Sequence, residues 1–258
     1  MPDTKSNIRP PMIPHIIHYC WFGRKPLPPL AKKCIASWRK YFPDYEIKEW
    51  NEDNFDVNAI AYTREAYEAK KYAFVSDYAR FKILYEQGGL YFDTDVEIIR
   101  PLDDIIERGP FMGCEQDASG ATTIAVNPGL GLGVNLGLGL YKEMLDLYAT
   151  LHFKTADNSF NQKTVVLYTT EVLEKHGLQA KTDIQQVAGI WIYPKEYFNP
   201  TKLTGRKVIP TSNTRSIHHY AGTWQSPYIR MKKKMAKLVG GKVTLGIINL
   251  KKKLLGKR

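Results

Sequence analysis

The stretch Ser76–Glu97, SDYARFKILYEQGGLYFDTDVE, holds a helix end, a turn and a short strand that runs into two acids. Asp77 and Arg80 lie three residues apart, so on a helix they share one face. Gly88-Gly89 stops that helix, because glycine enters the left-handed cap without strain. Leu90, Tyr91 and Phe92 then form a β-favouring run. From Asp77 to Gln87 a helix advances roughly 15 Å at about 1.5 Å per residue. From Leu90 to Asp93–Asp95 a strand returns roughly 10–17 Å at about 3.3 Å per residue. A strand doubling back on the helix therefore brings Asp77, Arg80, Asp93 and Asp95 to one level. Three carboxylates and a guanidinium gather at the carboxyl end of a strand, where open α/β sheets bind ligands.

Two acids at i and i+2 on a regular strand point to opposite faces. Their convergence requires the strand to end and the chain to bend. Carboxylates meeting there suit a hard divalent cation, Mg²⁺ or Mn²⁺, with open positions left for phosphate oxygens. Arg80 can add a bidentate contact to phosphate or sugar. The set suits a diphosphate-bearing donor. An EF-hand is excluded, because the sixth loop position after Asp93 is Ile98 rather than glycine. A bare Asp-x-Asp arises by chance about once in a chain of this size. The weight lies in its combination with the Ser-Asp-x-x-Arg face and the Gly-Gly turn.

Upstream, Ile13–Phe22 reads as a strand ending at Gly23, Pro29 opens a helix to about Phe42, and Tyr45–Trp50 is a second strand. This βαβ unit begins a doubly wound sheet. No G-x-G-x-x-G follows the first strand, which counts against a dinucleotide cofactor there. Trp21, at the strand end, either stacks a nucleotide base or packs under the next helix. Residues 59–87 read as helical with a break near Ala69–Ala73. Downstream, Val96–Arg100 is a strand, Leu102–Arg108 a short helix, and Phe111–Glu115 and Thr122–Val126 are strands. Asn127–Leu140, NPGLGLGVNLGLGL, is glycine-rich enough for backbone to approach a sugar or to pack closely; a phosphate cradle is the alternative. Tyr141–Leu151 and Thr164–His176 read as helices, and aromatic-rich Trp191–Phe198 as a strand and loop on the acceptor side or in a small subdomain.

With 258 residues, 43% of them apolar, the chain is long enough for one good-sized domain. Three scattered cysteines, an odd number without metal-ligand spacing, read as buried reduced thiols. The expected layout is a flexible N-terminus over 1–12, a catalytic domain over 13–227 and a basic tail over 228–258. MPDTKSNIRPP has no apolar core, so no secretory signal is expected in it. The formal charge of +11 resides entirely in the tail, because residues 1–227 hold 26 bases against 26 acids. In the tail Met231, Met235, Leu238 and Val239 form one helical stripe flanked by lysines, the pattern of a helix lying on an anionic membrane. No aromatic platform is interleaved with these bases, so nucleic acid is not an expected partner.

SDYARFKILYEQGGLYFDTDVE resembles the signature of the DXD-containing sugar transferases of glycosyltransferase family 32, and more distantly the glucosylating domain of large clostridial toxins. The resemblance continues in IPHIIHYCWFG (Ile13–Gly23), ASWRKYFPDYEIKEWNED (Ala36–Asp53) and IHHYAGTW (Ile217–Trp224), in the family's order. It implies an α/β, Rossmann-like fold of the GT-A type, a mixed sheet with helices on both faces. It also implies a retaining glycosyltransferase with a UDP-sugar ahead of a GDP-sugar as donor. Asp93 and Asp95 hold Mn²⁺ or Mg²⁺ in that expectation, Asp77 takes donor-sugar hydroxyls, Arg80 touches sugar or phosphate, and Trp21 stacks the base. His219-Tyr-Ala-Gly is similar to the His-Tyr-Cys-Gly loop of related retaining galactosyltransferases, which makes His219 the expected third metal ligand and His218 the fallback. Trp224 resembles the tryptophan that closes over the donor diphosphate. The basic tail adds the expectation of a lipid-linked saccharide acceptor, capsule or surface-polysaccharide synthesis, and peripheral attachment to the inner face of the plasma membrane. A nucleotide-sugar hydrolase and a non-catalytic membrane-surface module are the alternatives.

Overall fold

Ile16–Cys20 (β1), Pro29–Tyr41 (α1) and Glu46–Trp50 (β2) form the expected βαβ unit, with β1 and β2 parallel and in register from Ile16↔Glu46 to Cys20↔Trp50. The computed structural model describes residues 12–118, 123–157, 159–201 and 208–222. Two compact units divide the chain, Met1–Pro200 with Pro210–His219, and Thr201–Ile209 with Tyr220–Arg258. Within the second, the described residues include one antiparallel bridge, Thr201↔Val208. The structural description that follows concerns the first unit.

The helical stretch divides as expected into Ala61–Glu68 (α2) and Tyr72–Gln87 (α3). Helix α3 stops where Gly88 (φ 66°) and Gly89 (φ 95°) turn the chain into Gly89–Tyr91 (β3). A side chain at either position would strain that backbone. Strand β3 lies parallel to β1, pairing Ile17 with Leu90, and α3 packs on both strands. The elements that follow are Val96–Ile98 (β4), Asp103–Arg108 (α4), Phe111–Gln116 (β5), Ala125–Val134 (β6), Gly139–Ala149 (α5), Val165–Lys175 (α6), Gln185–Val187 (β7), Ile190–Tyr193 (β8), Lys195–Phe198 (α7) and Ser216–His218 (β9).

Seven strands make one sheet in the order β2-β1-β3-β6-β5-β8-β7, and β4 pairs with β9 in a second, two-stranded sheet. Strand β6 runs antiparallel to both β3 and β5, while β5 and β8 are parallel. Strands β1, β2, β3, β5 and β8 therefore run one way and end on one edge, and β6 and β7 run against them. Neighbouring residues on a strand enter opposite cores, as the period of two requires. Leu90 and Phe111 join Trp38, Phe42, Ile105 and Phe198 on one face; Tyr91 and Met112 join Phe81, Tyr141, Tyr148 and Val172 on the other. The fold is the mixed α/β sheet with helices on both faces that was expected.

The glycine-rich stretch departs from its expected boundaries. Strand β6 runs through it instead of ending at Val126, because its glycines admit neighbouring side chains. A Cβ on Gly133 would lie 2.2 Å from Phe111 Cε1, and one on Gly131 would lie 3.1 Å from Phe92 Cε1. Close packing is thus the use of Gly131 and Gly133, which lie within the strand. Cys20, Cys34 and Cys114 are buried and unpaired.

Two sets of side chains anchor the segments that carry the acids. Helix α1 holds β4: Trp38 Nε1 donates to Val96 O at 2.8 Å, Ile98 N–H donates to Ser37 Oγ at 2.9 Å, and the Tyr41 hydroxyl donates to Ile99 O at 2.7 Å. His18, with no exposed surface, ties β1 to the glycine turn. Its Nδ1 accepts from Trp50 Nε1 at 3.1 Å, so Nε2 carries the proton and donates to Gly88 O at 3.0 Å. Burial pulls the His18 pKa down to about 4, with the Gly88 contact opposing and Lys48 reinforcing the shift. The unfolded chain binds a proton at this residue below about 6.5, and the folded chain does not until about 4. Stability should therefore fall as pH drops through that window, by on the order of 2–3 kcal/mol from this group. Urea unfolding at pH 7 and pH 5 checks this against His18→Gln. Equal losses in both proteins would show that His18 is not the group responsible.

Candidate cation and donor site

Arg80 lies at the centre of the acids. Its Nη2 donates to Asp77 Oδ1 at 2.8 Å, its Nη1 lies 3.3 Å from Asp93 Oδ1, and its Nε donates to Ser76 O at 3.1 Å. The guanidinium is packed 5.0 Å from the centre of the Tyr91 ring, and the residue is 3% exposed. The sequence suggested a bidentate phosphate contact for this side chain. In the structure its two terminal nitrogens face carboxylates, because Asp77 lies one helical turn before it and Asp93 lies just beyond the end of β3. The length argument from helix and strand holds: Asp77, Arg80 and Asp93 meet.

Asp93 and Asp95 flank a turn after β3, where the chain leaves one sheet for the other. Atoms of Asp93, Asp95 and His218 lie within 4.8 Å of one another. Donors bound to one ion at about 2.0–2.2 Å are separated by about 3–4.4 Å, so small movements would complete a shell. Two carboxylates and an imidazole are a donor set that a borderline divalent ion accepts.

The histidine at the acids is His218, the fallback, and not His219. Strand β9 pairs antiparallel with β4, setting His218 opposite Val96, and the His219 N–H donates to Asp95 O at 3.0 Å. Adjacent residues then point apart. His218 Nε2 reaches Asp95 Oδ1 at 3.1 Å, whereas His219 Nε2 meets Glu97 Oε2 at 2.8 Å, where Lys33 Nζ also donates at 2.7 Å.

Burial pushes the Asp77 carboxyl up, to about 7; Arg80 and the Val165 N–H at the start of α6 oppose the shift, and Asp93 adds to it. Burial likewise raises Asp93, with Arg80 opposing and Asp95 reinforcing. For His218, burial favours the neutral ring, but Asp95, Asp93 and Glu115 outweigh it and leave its pKa raised. Burial is thus the main cause at the two carboxyls, and neighbouring negative charge is what raises His218.

Trp21 stands at the end of β1, two strands from β6 across the sheet. It is half-buried against the core, and its Nε1 donates to Lys25 O. With Arg24, Lys25, Pro26, Glu49, Asn51, Glu52 and Asp53 it lines a groove of about 420 Å³ at the carboxyl ends of β1 and β2. Of the two uses foreseen for this residue, its placement shows packing. Trp224 and the basic tail 228–258 lie outside the described residues. Sequence reasoning missed Tyr91, whose hydroxyl donates to Asp93 Oδ1 at 3.3 Å, and Asn127, which donates to Glu115 Oε2 at 2.8 Å. An Asn-Pro pair inside a strand was the available signal for the second.

The mixed sheet, with the Asp-x-Asp turn following its parallel strand β3, is of the α/β class expected from the sequence. Residues 28–112 match the family described as glycosyltransferase sugar-binding region containing DXD motif. It is similar to inositol phosphoceramide mannosyltransferase 1 of Schizosaccharomyces pombe, 25% identical over 121 residues, which cover 43% of this chain and 36% of that protein. It is also similar to a glycosyltransferase of Acanthamoeba polyphaga mimivirus, 31% identical over 110 residues, 39% of this chain and 42% of the relative. The matched region thus spans less than half the length of either relative. Among solved structures, a glycosyltransferase involved in glycosylation of the major capsid of PBCV-1 superposes with a TM-score of 0.46 at 13% identity, covering 85% of this chain and 98% of that one.

Proposed function

We propose that this chain is a metal-dependent glycosyltransferase that moves a sugar from a nucleoside-diphosphate sugar to a saccharide acceptor. The observation that carries the proposal is the convergence of Asp93, Asp95 and His218 within 4.8 Å at the ligand-binding edge of the sheet. A Mn²⁺ or Mg²⁺ ion held there supplies charge neutralisation to the departing nucleoside diphosphate. Imidazole in the set favours Mn²⁺ over the harder Mg²⁺. Asp77, buried beside the ion site, accepts hydrogen bonds from donor-sugar hydroxyls. Arg80 acts by holding Asp77 and Asp93 in place. Trp21 stacks the base in its groove, with uridine ahead of guanosine, and Trp224 covers the phosphates.

The finer features rest on the family resemblance and the tail. The first implies retention at the anomeric carbon of a hexose. Eleven bases among residues 228–258 suit an anionic membrane surface, each contributing on the order of 1 kcal/mol and less at high salt. On this reading the protein works at the inner face of the plasma membrane, on a lipid-linked saccharide in capsule or other surface-glycan assembly. The fission-yeast relative, an inositol phosphoceramide mannosyltransferase, provides a precedent for a lipid-borne acceptor. Among the described residues no helix is long and apolar enough to cross a membrane.

Calorimetry with UDP- and GDP-sugars in Mn²⁺ tests the proposal. One donor should bind, and EDTA should abolish its binding. Trp21→Ala should weaken that donor by about 1–3 kcal/mol, the worth of one base stacked on an aromatic ring. Donor binding that is unchanged in EDTA would end the metal-dependent mechanism.

A further inference from the structure

The acids are fixed on one side by Arg80 and Tyr91, and the structure shows what fixes them on the other. Strand β6 breaks register against β5: Met112 pairs with Leu132, but the next residue, Gly113, pairs with Asn127. Residues 128–131 are therefore extra on β6 and form a bulge, and Pro128 within it has no N–H to offer a ladder. The bulge leans on the Asp-x-Asp turn. Asp93 N–H donates to Gly129 O at 3.0 Å, and Gly129 N–H donates to Asn127 Oδ1 at 2.7 Å. Asn127, 7% exposed, is oriented in turn by donating from Nδ2 to Glu115 Oε2 at 2.8 Å.

Gly129 also forms a steric wall. A Cβ built on it would lie 2.0 Å from Asp93 Oδ2 and 2.8 Å from Asp93 Cγ. Oδ1 of the same carboxylate faces Arg80 Nη1 and the Tyr91 hydroxyl, each at 3.3 Å. The carboxylate is thus held by one oxygen and bounded at the other by bare backbone. A methyl group at residue 129 would rotate it out of the cluster with Asp95 and His218.

We propose that the Asn127-Pro128-Gly129 bulge is a positioning device for the cation site, with Gly129 setting the orientation of the Asp93 carboxylate and Asn127 holding Gly129. It lies beyond residues 28–112, the region matched by the family. The proposal rests on Asp93 being a metal ligand, and the test separates the two. Mn²⁺ binding in the presence of UDP is measured by calorimetry for the full chain and its variants, beside thermal midpoints in EDTA. Gly129→Ala and Asn127→Ala should each bind Mn²⁺ roughly 10- to 100-fold more weakly, the range seen when the groups that orient metal ligands are lost. Their midpoints in EDTA should stay near that of the unaltered protein. Glu115→Gln keeps an acceptor oxygen for the Asn127 amide and should bind Mn²⁺ within about twofold of the unaltered protein. If Gly129→Ala fails to fold, Asn127→Ala decides alone. Unaltered Mn²⁺ affinity in a folded Asn127→Ala overturns the positioning role while leaving the transferase proposal standing. Absence of Mn²⁺ binding by the unaltered protein overturns both.

Discussion

Replacing Asp95 with Asn should leave a folded protein that transfers sugar roughly 10³-fold more slowly, a loss of about 4 kcal/mol of transition-state stabilisation. Asparagine keeps the shape and one oxygen but removes the charge that binds a divalent ion. Asp95 is the acid shared by the cluster, since His218 Nε2 lies 3.1 Å from its Oδ1 and its backbone carbonyl accepts the His219 N–H. The stability of the cation-free protein should change little. The lost contact to His218 is offset by relief at Asp93, whose carboxyl is raised in part by the charge of Asp95. Initial rates in Mn²⁺, beside a thermal midpoint in EDTA, check both halves. Undiminished turnover by a folded variant would remove the metal site from the mechanism.

The second large effect concerns stability. Arg80→Met should cost about 3–5 kcal/mol, because it leaves Asp77 and Asp93 without their buried counter-charge. The Arg80–Asp77 pair has side chains only 4% and 11% exposed, so water cannot replace the guanidinium. The pH dependence of this loss has a definite sign. Burial raises both carboxyls even with Arg80 present, and without it they should take up protons at still higher pH. A protonated pair needs no counter-charge, so the deficit against the unaltered protein should shrink as pH falls. Urea unfolding at pH 8 and pH 5 measures it. A variant as stable as the parent at pH 8 would mean that the carboxylates find other partners and that Arg80 is not their brace.

How much of this was legible in the chain follows from the range of each signal. The stop at Gly88-Gly89, the start at Pro29 and the acids beyond Phe92 are encoded within a few residues of one another, so their consequences could be worked out from helix and strand rise alone. His218 and His219 are chemically alike and adjacent; only the pairing of β9 with β4, across more than a hundred residues, decides which one faces Asp95. Arg80 could be foreseen beside Asp77 from their spacing. That Asp93 would take its second terminal nitrogen depended on where β3 ends in the sheet. Asn127 and Gly129 carried a local hint of a bulge, but nothing nearby in sequence names the carboxylate they bound.

The order of residues by itself determined the class of fold, the helix–turn–strand hairpin and the presence of three acids and an arginine at one edge, because propensities, caps and rise per residue act over short distances. The tertiary structure alone decided which histidine joins the acids, that the arginine is occupied by them, and that a β6 bulge bounds Asp93. Each of these depends on strand register, and a shift of one residue would turn every one of those side chains to the other face.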